Sequence, residues 1–115
     1  MKTLAILLAL SAVLLVGRVS LAQSTKPTMK TDTIKVHDMR CGQCESRIHR
    51  ALSKVDGISK DNSFADVETQ TVIVQYDPAV ITREKIEGLI VKTGYGVGKT
   101  PGDAAARKAL PSCCK

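Results

Sequence analysis

Four cysteines carry the reactive chemistry of this chain, in two pairs: Cys41 and Cys44, spaced C-x-x-C, and the adjacent Cys113 and Cys114. Two thiols at C-x-x-C spacing converge on one atom when the first lies in a loop and the second starts a helix. The unpaired amides of the helix N-terminus then favour the thiolate. Thiolate is both a ligand for soft metal ions and the nucleophile of disulfide exchange, so the pair supports metal carriage or redox chemistry. Cys113 and Cys114 differ in kind. Neighbouring Cα atoms lie about 3.8 Å apart, below the roughly 4.4 Å at which ordinary disulfides begin, so these two thiols bond each other only under strain. They remain additional candidate ligands beside Cys41 and Cys44, or thiols of a disordered tail with little apolar surface to dock. A disulfide framework fits poorly, because stapling cysteines are spread through a fold rather than gathered at one turn and one end.

The elements that must position Cys41 and Cys44 can be read from periodicity. Thr33–His37 alternates, with Ile34 and Val36 on one face, as a half-buried strand does. From Cys44 the apolar positions Ile48, Ala51, Leu52 and Val55 fall at helical spacing, with Arg47, His49, Arg50 and Lys54 on the other side, and Asp56-Gly57 ends the helix. Register is open between Ser59 and Ser63, before a second extended run reaching Val67. Glu68-Thr69-Gln70 reads as a turn, followed by a strand with Val72, Val74 and Tyr76 on one face, ended by Asp77-Pro78. Thr82 suits an N-cap, with Ile81 and Ile86 as a hydrophobic staple and Leu89 and Ile90 continuing the stripe; Gly94 closes this second helix. Tyr95–Lys99 is expected as a short last strand, and Asp103–Leu110, fenced by Pro101 and Pro111, is helix-prone. The order strand, helix, strand, strand, helix, strand predicts an α+β chain. It is the ferredoxin-like βαββαβ sandwich, a four-stranded antiparallel sheet with two helices on one face. Gly94-Tyr95-Gly96 is expected near the thiols.

Composition excludes several classes. A length of 115 residues suits one small domain plus a leader. Residues 1–22 read as a secretory signal: Lys2, an apolar run Leu4–Val16 too short to span a bilayer, and a small-x-small site at Ser20-Leu21-Ala22. The expectation is a periplasmic or secreted protein without a stable membrane anchor after signal removal, residues 23–30 forming a flexible lead. Losing Lys2 and Arg18 lowers the formal charge from +6 to about +4. Only Phe64, Tyr76 and Tyr95 are aromatic, so nucleic-acid binding by a basic, stacking surface is excluded. Arg47, Arg50 and Lys54 form a basic helix face that reads as solvated surface or as a match for an acidic partner. His37 and His49 read as solvated. Met39 reads as a core plug, since a flexible apolar side chain fills irregular space at the base of a loop.

Met39-Arg40-Cys41-Gly42-Gln43-Cys44, in this order of elements, resembles the heavy-metal-associated domain shared by copper chaperones, the N-terminal domains of metal-transporting ATPases and the periplasmic mercury-binding protein. The resemblance covers residues 31–100 and leaves residues 101–115, the tail, outside it. It implies that Cys41 and Cys44 bind one Cu(I) or Hg(II) ion and pass it by ligand exchange to a metal-transporting membrane protein or acceptor domain. It also implies that Met39 anchors the loop and that Gly94-Tyr95 lies beside it. Asp38 and Arg40 stand where the family commonly has Gly and Thr. Arg40 would stabilise thiolates and Asp38 would oppose them. The segment from Gly57 to Asp77 is about two residues longer than is usual in the family, as a bulge or longer loop would make it. The reading is an exported metal carrier and not an enzyme, with an extracytoplasmic thiol-disulfide redox protein as the alternative. Against the alternative, no Trp precedes Cys41 and no Pro separates the cysteines.

Overall fold

The computed structural model describes residues 26–115, so the expected signal segment lies outside the described residues. Strand β1 (Lys30–His37) leads through the cysteine loop into helix α1 (Gly42–Ser53), followed by β2 (Phe64–Asp66), β3 (Thr71–Tyr76), helix α2 (Arg83–Lys92) and β4 (Gly96–Val97). A short helix α3 (Ala104–Lys108) and a 3-10 turn (Ser112–Cys114) complete the described chain. The sheet runs β2-β3-β1-β4 with every pairing antiparallel, as expected for the ferredoxin-like order. The central register sets Ile34 opposite Val72 and Asp32 opposite Val74, so the alternate apolar positions of both strands face one way.

Those positions, Ile34, Val36, Val72, Val74 and Tyr76, are buried in one cluster with Ile48 and Leu52 of α1 and Ile86 and Ile90 of α2. Both helices therefore cover a single sheet face, and α1 turns its buried Cys44-Ile48-Leu52 stripe inward while Arg47, His49, Arg50 and Lys54 stay exposed. Thr82 caps α2 by accepting the Lys85 amide at 3.3 Å, and Ile81 and Ile86 are both buried, as the staple requires. Deleting a cap of this kind costs about 0.5–2 kcal/mol.

Two local expectations change, and one open register is resolved. Helix α1 begins at Gly42, two residues earlier than Cys44, and its C-cap is Lys54; Gly57, at φ +87°, turns the chain afterwards. Strand β4 is two residues rather than the expected Tyr95–Lys99, because Gly98 at φ +56° reverses the chain, so that Val97 pairs with Thr100 as well as with Val36 of β1. The open register near Ser63 resolves through a side chain: the Ser63 hydroxyl accepts the Gln75 amide at 3.1 Å, and Phe64 stands exposed opposite Ile73.

Candidate metal centre

Cys41 occupies the N-cap position of α1 with an extended backbone (φ −155°, ψ 170°) and makes no side-chain cap bond, leaving its sulfur free at the helix start. Cys44, in the first turn, points back instead. Its sulfur accepts the Arg40 amide at 3.4 Å and lies 3.9 Å from the Cys41 sulfur. Residue spacing produces this directly, since residues three apart in a helical turn sit on one side. Cys41 is partly exposed while Cys44 is fully buried, so the pair has one open and one closed member.

The loop before them is held from across the sheet. Gln70, itself in a left-handed conformation (φ 55°), accepts the Met39 amide at 3.2 Å and donates to the Met39 carbonyl at 2.7 Å and to that of Val67 at 2.7 Å. Met39 is only 4 % exposed and packs in the core, as expected of a loop anchor. The sequence marks Gln70 only as part of a turn; nothing local in it signals a side chain that reaches 31 positions back. Arg40 gives its backbone amide to the Cys44 sulfur, while its side chain is exposed. Asp38, expected to oppose the thiolates, is paired with Arg107 of the tail at 3.3 Å. That contact is an ion pair without hydrogen-bond alignment, and the Arg107 nitrogen has no other partner.

The tail docks, and the disordered alternative fails. Asp103 caps α3 by accepting the Ala106 amide at 2.8 Å, and its own amide bonds the Val91 carbonyl at 2.9 Å. Gly94, at φ +103°, lets α3 approach so closely that a Cβ there would meet the Arg107 amide at 3.0 Å. A Cβ on Gly102 would fall inside the Gly94 carbonyl. The apolar anchors are Leu110 and Cys114, both buried, rather than the alanines of α3. Ala104–Ala109 themselves supply little apolar surface, and the helix, expected over Asp103–Leu110, ends at Lys108, so that Leu110 docks from beyond it.

This docking carries Cys114 to 3.8 Å from the Cys41 sulfur, and the sulfurs of Cys41, Cys44 and Cys114 all lie within 4.8 Å of one another. Cys113 turns outward, exposed, contacting Gln43 Oε1 at 3.4 Å and the Cys114 sulfur at 3.9 Å. All four thiols are free. Tyr95 sits beside the cluster as expected, fully buried. Its hydroxyl is near enough to the Cys44 and Cys114 sulfurs to feel them, yet no hydrogen bond is formed. Burial, reinforced by those sulfurs, keeps the phenol protonated far above the ordinary tyrosine range. Burial also pushes the Cys44 thiol up, but the Arg40 amide, Cys114, Tyr95 and the Cys41 amide together outweigh it and bring Cys44 down to about 7. Cys114 is pushed up to about 12, by burial first and then by Cys44. Cys113 is raised by its contact with the Cys41 sulfur. The ring of His37 bonds the Gly98 carbonyl at 2.9 Å and that of His49 the Ser63 carbonyl at 3.0 Å, so they tie β1 and α1 to neighbouring loops and neither is directed at sulfur.

A cluster of soft donors at a helix start, on this fold, matches a known family. The profile of the heavy-metal-associated domain matches residues 33–96. The chain belongs to the heavy-metal-associated domain family. It is 30 % identical over 69 residues to the copper chaperone CopZ of Staphylococcus aureus strain JH9, covering 60 % of this chain and 98 % of that protein. Among solved structures it resembles a CopZ metallochaperone (TM-score 0.57, 29 % identity, 60 % of this chain and 100 % of that one). It also resembles oxidized MerP from Ralstonia metallidurans CH34 (TM-score 0.56, 28 % identity, 62 % and 96 %). A soluble region of the P-type ATPase CopA from Bacillus subtilis aligns with 63 % of this chain at 32 % identity and a TM-score of 0.58, this chain covering 46 % of that region. The family match ends at Gly96, so the segment that brings Cys114 to the heavy-metal-associated domain lies outside the matched region.

Proposed function

We propose that this protein is an exported carrier that binds one soft d10 ion, Cu(I) or Hg(II), through Cys41 and Cys44 and hands it to an acceptor by thiolate exchange. The observation that carries the reading is the convergence of those two sulfurs, 3.9 Å apart at the start of α1, in a chain of the heavy-metal-associated family. Two soft donors without a carboxylate suit d10 ions and exclude Ca2+ and Mg2+, which require oxygen, while Zn2+ would lack donors for its tetrahedral set. Cys44, ionised near neutral pH and buried, holds the ion; Cys41, partly exposed, is where an acceptor thiolate enters. Such an acceptor would be a domain of a metal-transporting membrane protein, consistent with the likeness to the CopA region.

The chemistry is transfer of a cargo ion, with no substrate transformed, so the protein acts as a carrier and not an enzyme. The matched family is a metal-binding one, which favours carriage over the redox alternative. Residues 1–22 would direct export and be removed. The test is Cu(I) competition titration under anaerobic reducing conditions: a single ion per chain is expected, with affinity reduced by orders of magnitude in Cys41→Ser and in Cys44→Ser. Undiminished affinity in the double variant refutes the assignment. Export is checked by the N-terminal sequence of the processed protein in the periplasmic or secreted fraction, expected to begin at Gln23.

A further inference from the structure

We infer that Cys114 is a third thiolate ligand, so that the docked tail converts the two-sulfur site of Cys41 and Cys44 into a three-coordinate one; this rests on the carrier reading above. The spacing of the sulfurs is the first ground. With a metal–sulfur length of about 2.3 Å, a linear two-coordinate ion needs its sulfurs about 4.6 Å apart, and a trigonal one needs about 4.0 Å. Cys41 and Cys44 are 3.9 Å apart and Cys41 and Cys114 3.8 Å, with all three sulfurs within 4.8 Å. Two of the three edges already match a trigonal ion and the third lies within 4.8 Å, whereas a linear ion would have to spread the Cys41–Cys44 pair.

The second ground is that the third sulfur is delivered by a built device. A Cβ on Gly102 would overlap the Gly94 carbonyl and one on Gly94, at φ +103°, would be strained and crowd Arg107, Leu110 is buried at the end of the segment, and Asp38 is paired with Arg107 across the cysteine loop. These contacts seat Cys114, fully buried, 3.8 Å from the Cys41 sulfur. The third ground is the Tyr95 hydroxyl, which is fully buried beside two of the three sulfurs and lacks a hydrogen-bond partner. A bound ion that makes the sulfurs fully anionic gives that donor an acceptor.

Loading replaces each remaining S–H by an S–metal bond and releases its proton to water. The metal keeps its oxidation state. A third donor favours soft ions that accept trigonal thiolate coordination, and it places Cys114 in the position an incoming acceptor thiolate would take. Transfer then requires the tail to let go as the acceptor sulfur binds.

X-ray absorption on the full chain loaded with one Cu(I) tests this. Three sulfur neighbours are expected in the unaltered protein and in Cys113→Ser, and two, with a shorter mean Cu–S distance, in Cys114→Ser. The Cys113→Ser protein separates loss of the ligand from loss of the neighbouring thiol. Retention of Cu(I) against a competing chelator should fall at least about tenfold in Cys114→Ser alone. Two sulfurs in both the unaltered protein and Cys114→Ser overturn the inference and leave the two-cysteine carrier standing; failure of the unaltered protein to bind Cu(I) overturns both.

Discussion

Replacing Leu110 by Ala should release the tail without unfolding the domain. Leu110 is 5 % exposed and lies past the short helix that follows the sheet, so its burial reports on docking of the tail more than on the central core. Truncating a buried Leu to Ala costs about 2–5 kcal/mol. The half-exposed Asp38–Arg107 pair, also on the tail, is worth at most about 1 kcal/mol in solvent. A loss of about 2 kcal/mol in the local docking equilibrium raises the open population about 30-fold, at about 1.4 kcal/mol per factor of ten. Cys114 is the natural reporter, being fully buried and pushed up to about 12 when docked. On release it becomes accessible and its thiol returns toward the ordinary range, so at pH 8 both changes raise its thiolate-dependent alkylation rate. The assay is iodoacetamide labelling of the reduced, metal-free protein with mass mapping, using an added unstructured thiol peptide as the reference because Cys113 lies on the same tail. The ratio of the Cys114 rate to that of the reference should rise by about 30-fold or more for such a loss. A ratio changed by less than about threefold would show that Leu110 does not hold the tail, and equal acceleration at buried Cys44 together with loss of the folding transition would show that the tail is no separate unit.

Met39→Ala should destabilise the protein by about 2–5 kcal/mol in urea unfolding, since a nearly buried side chain leaves a cavity under the cysteine loop; an unchanged midpoint would contradict its burial. For the reduced, metal-free protein, stability should rise between about pH 7 and 9 and fall above 9. Cys44, lowered to about 7, has lost its proton in the folded state over the first interval while the unfolded chain keeps it. Above 9 the unfolded chain releases the proton that folded Cys114, at about 12, retains. Chemical denaturation across pH 6–11 checks this: Cys44→Ser should flatten the rise and Cys114→Ser the fall, and a profile unaltered by Cys44→Ser would refute the first half.

What was legible in the sequence is what depends on neighbours along the chain. Alternation in Thr33–His37 and Val72–Tyr76, the helical stripe from Cys44 to Leu52 and the Thr82 cap each follow from a period or a local hydrogen bond, and the order of elements then selects the ferredoxin-like sheet. The Cys41–Cys44 pair belongs to the same class, because residues three apart at a helix start meet whatever else the chain does. Tertiary structure decided the rest. Gln70 reaches Met39 only because β3 lies beside β1, and Asp38 finds a partner only because the tail returns to the cysteine loop. Cys114 meets Cys41 across 73 positions, through backbone contact at two glycines and the burial of Leu110. None of these has a periodic signature. Whether a polar, alanine-rich tail docks depends on the shape of the surface it meets, and that surface exists only once the sheet and both helices have packed.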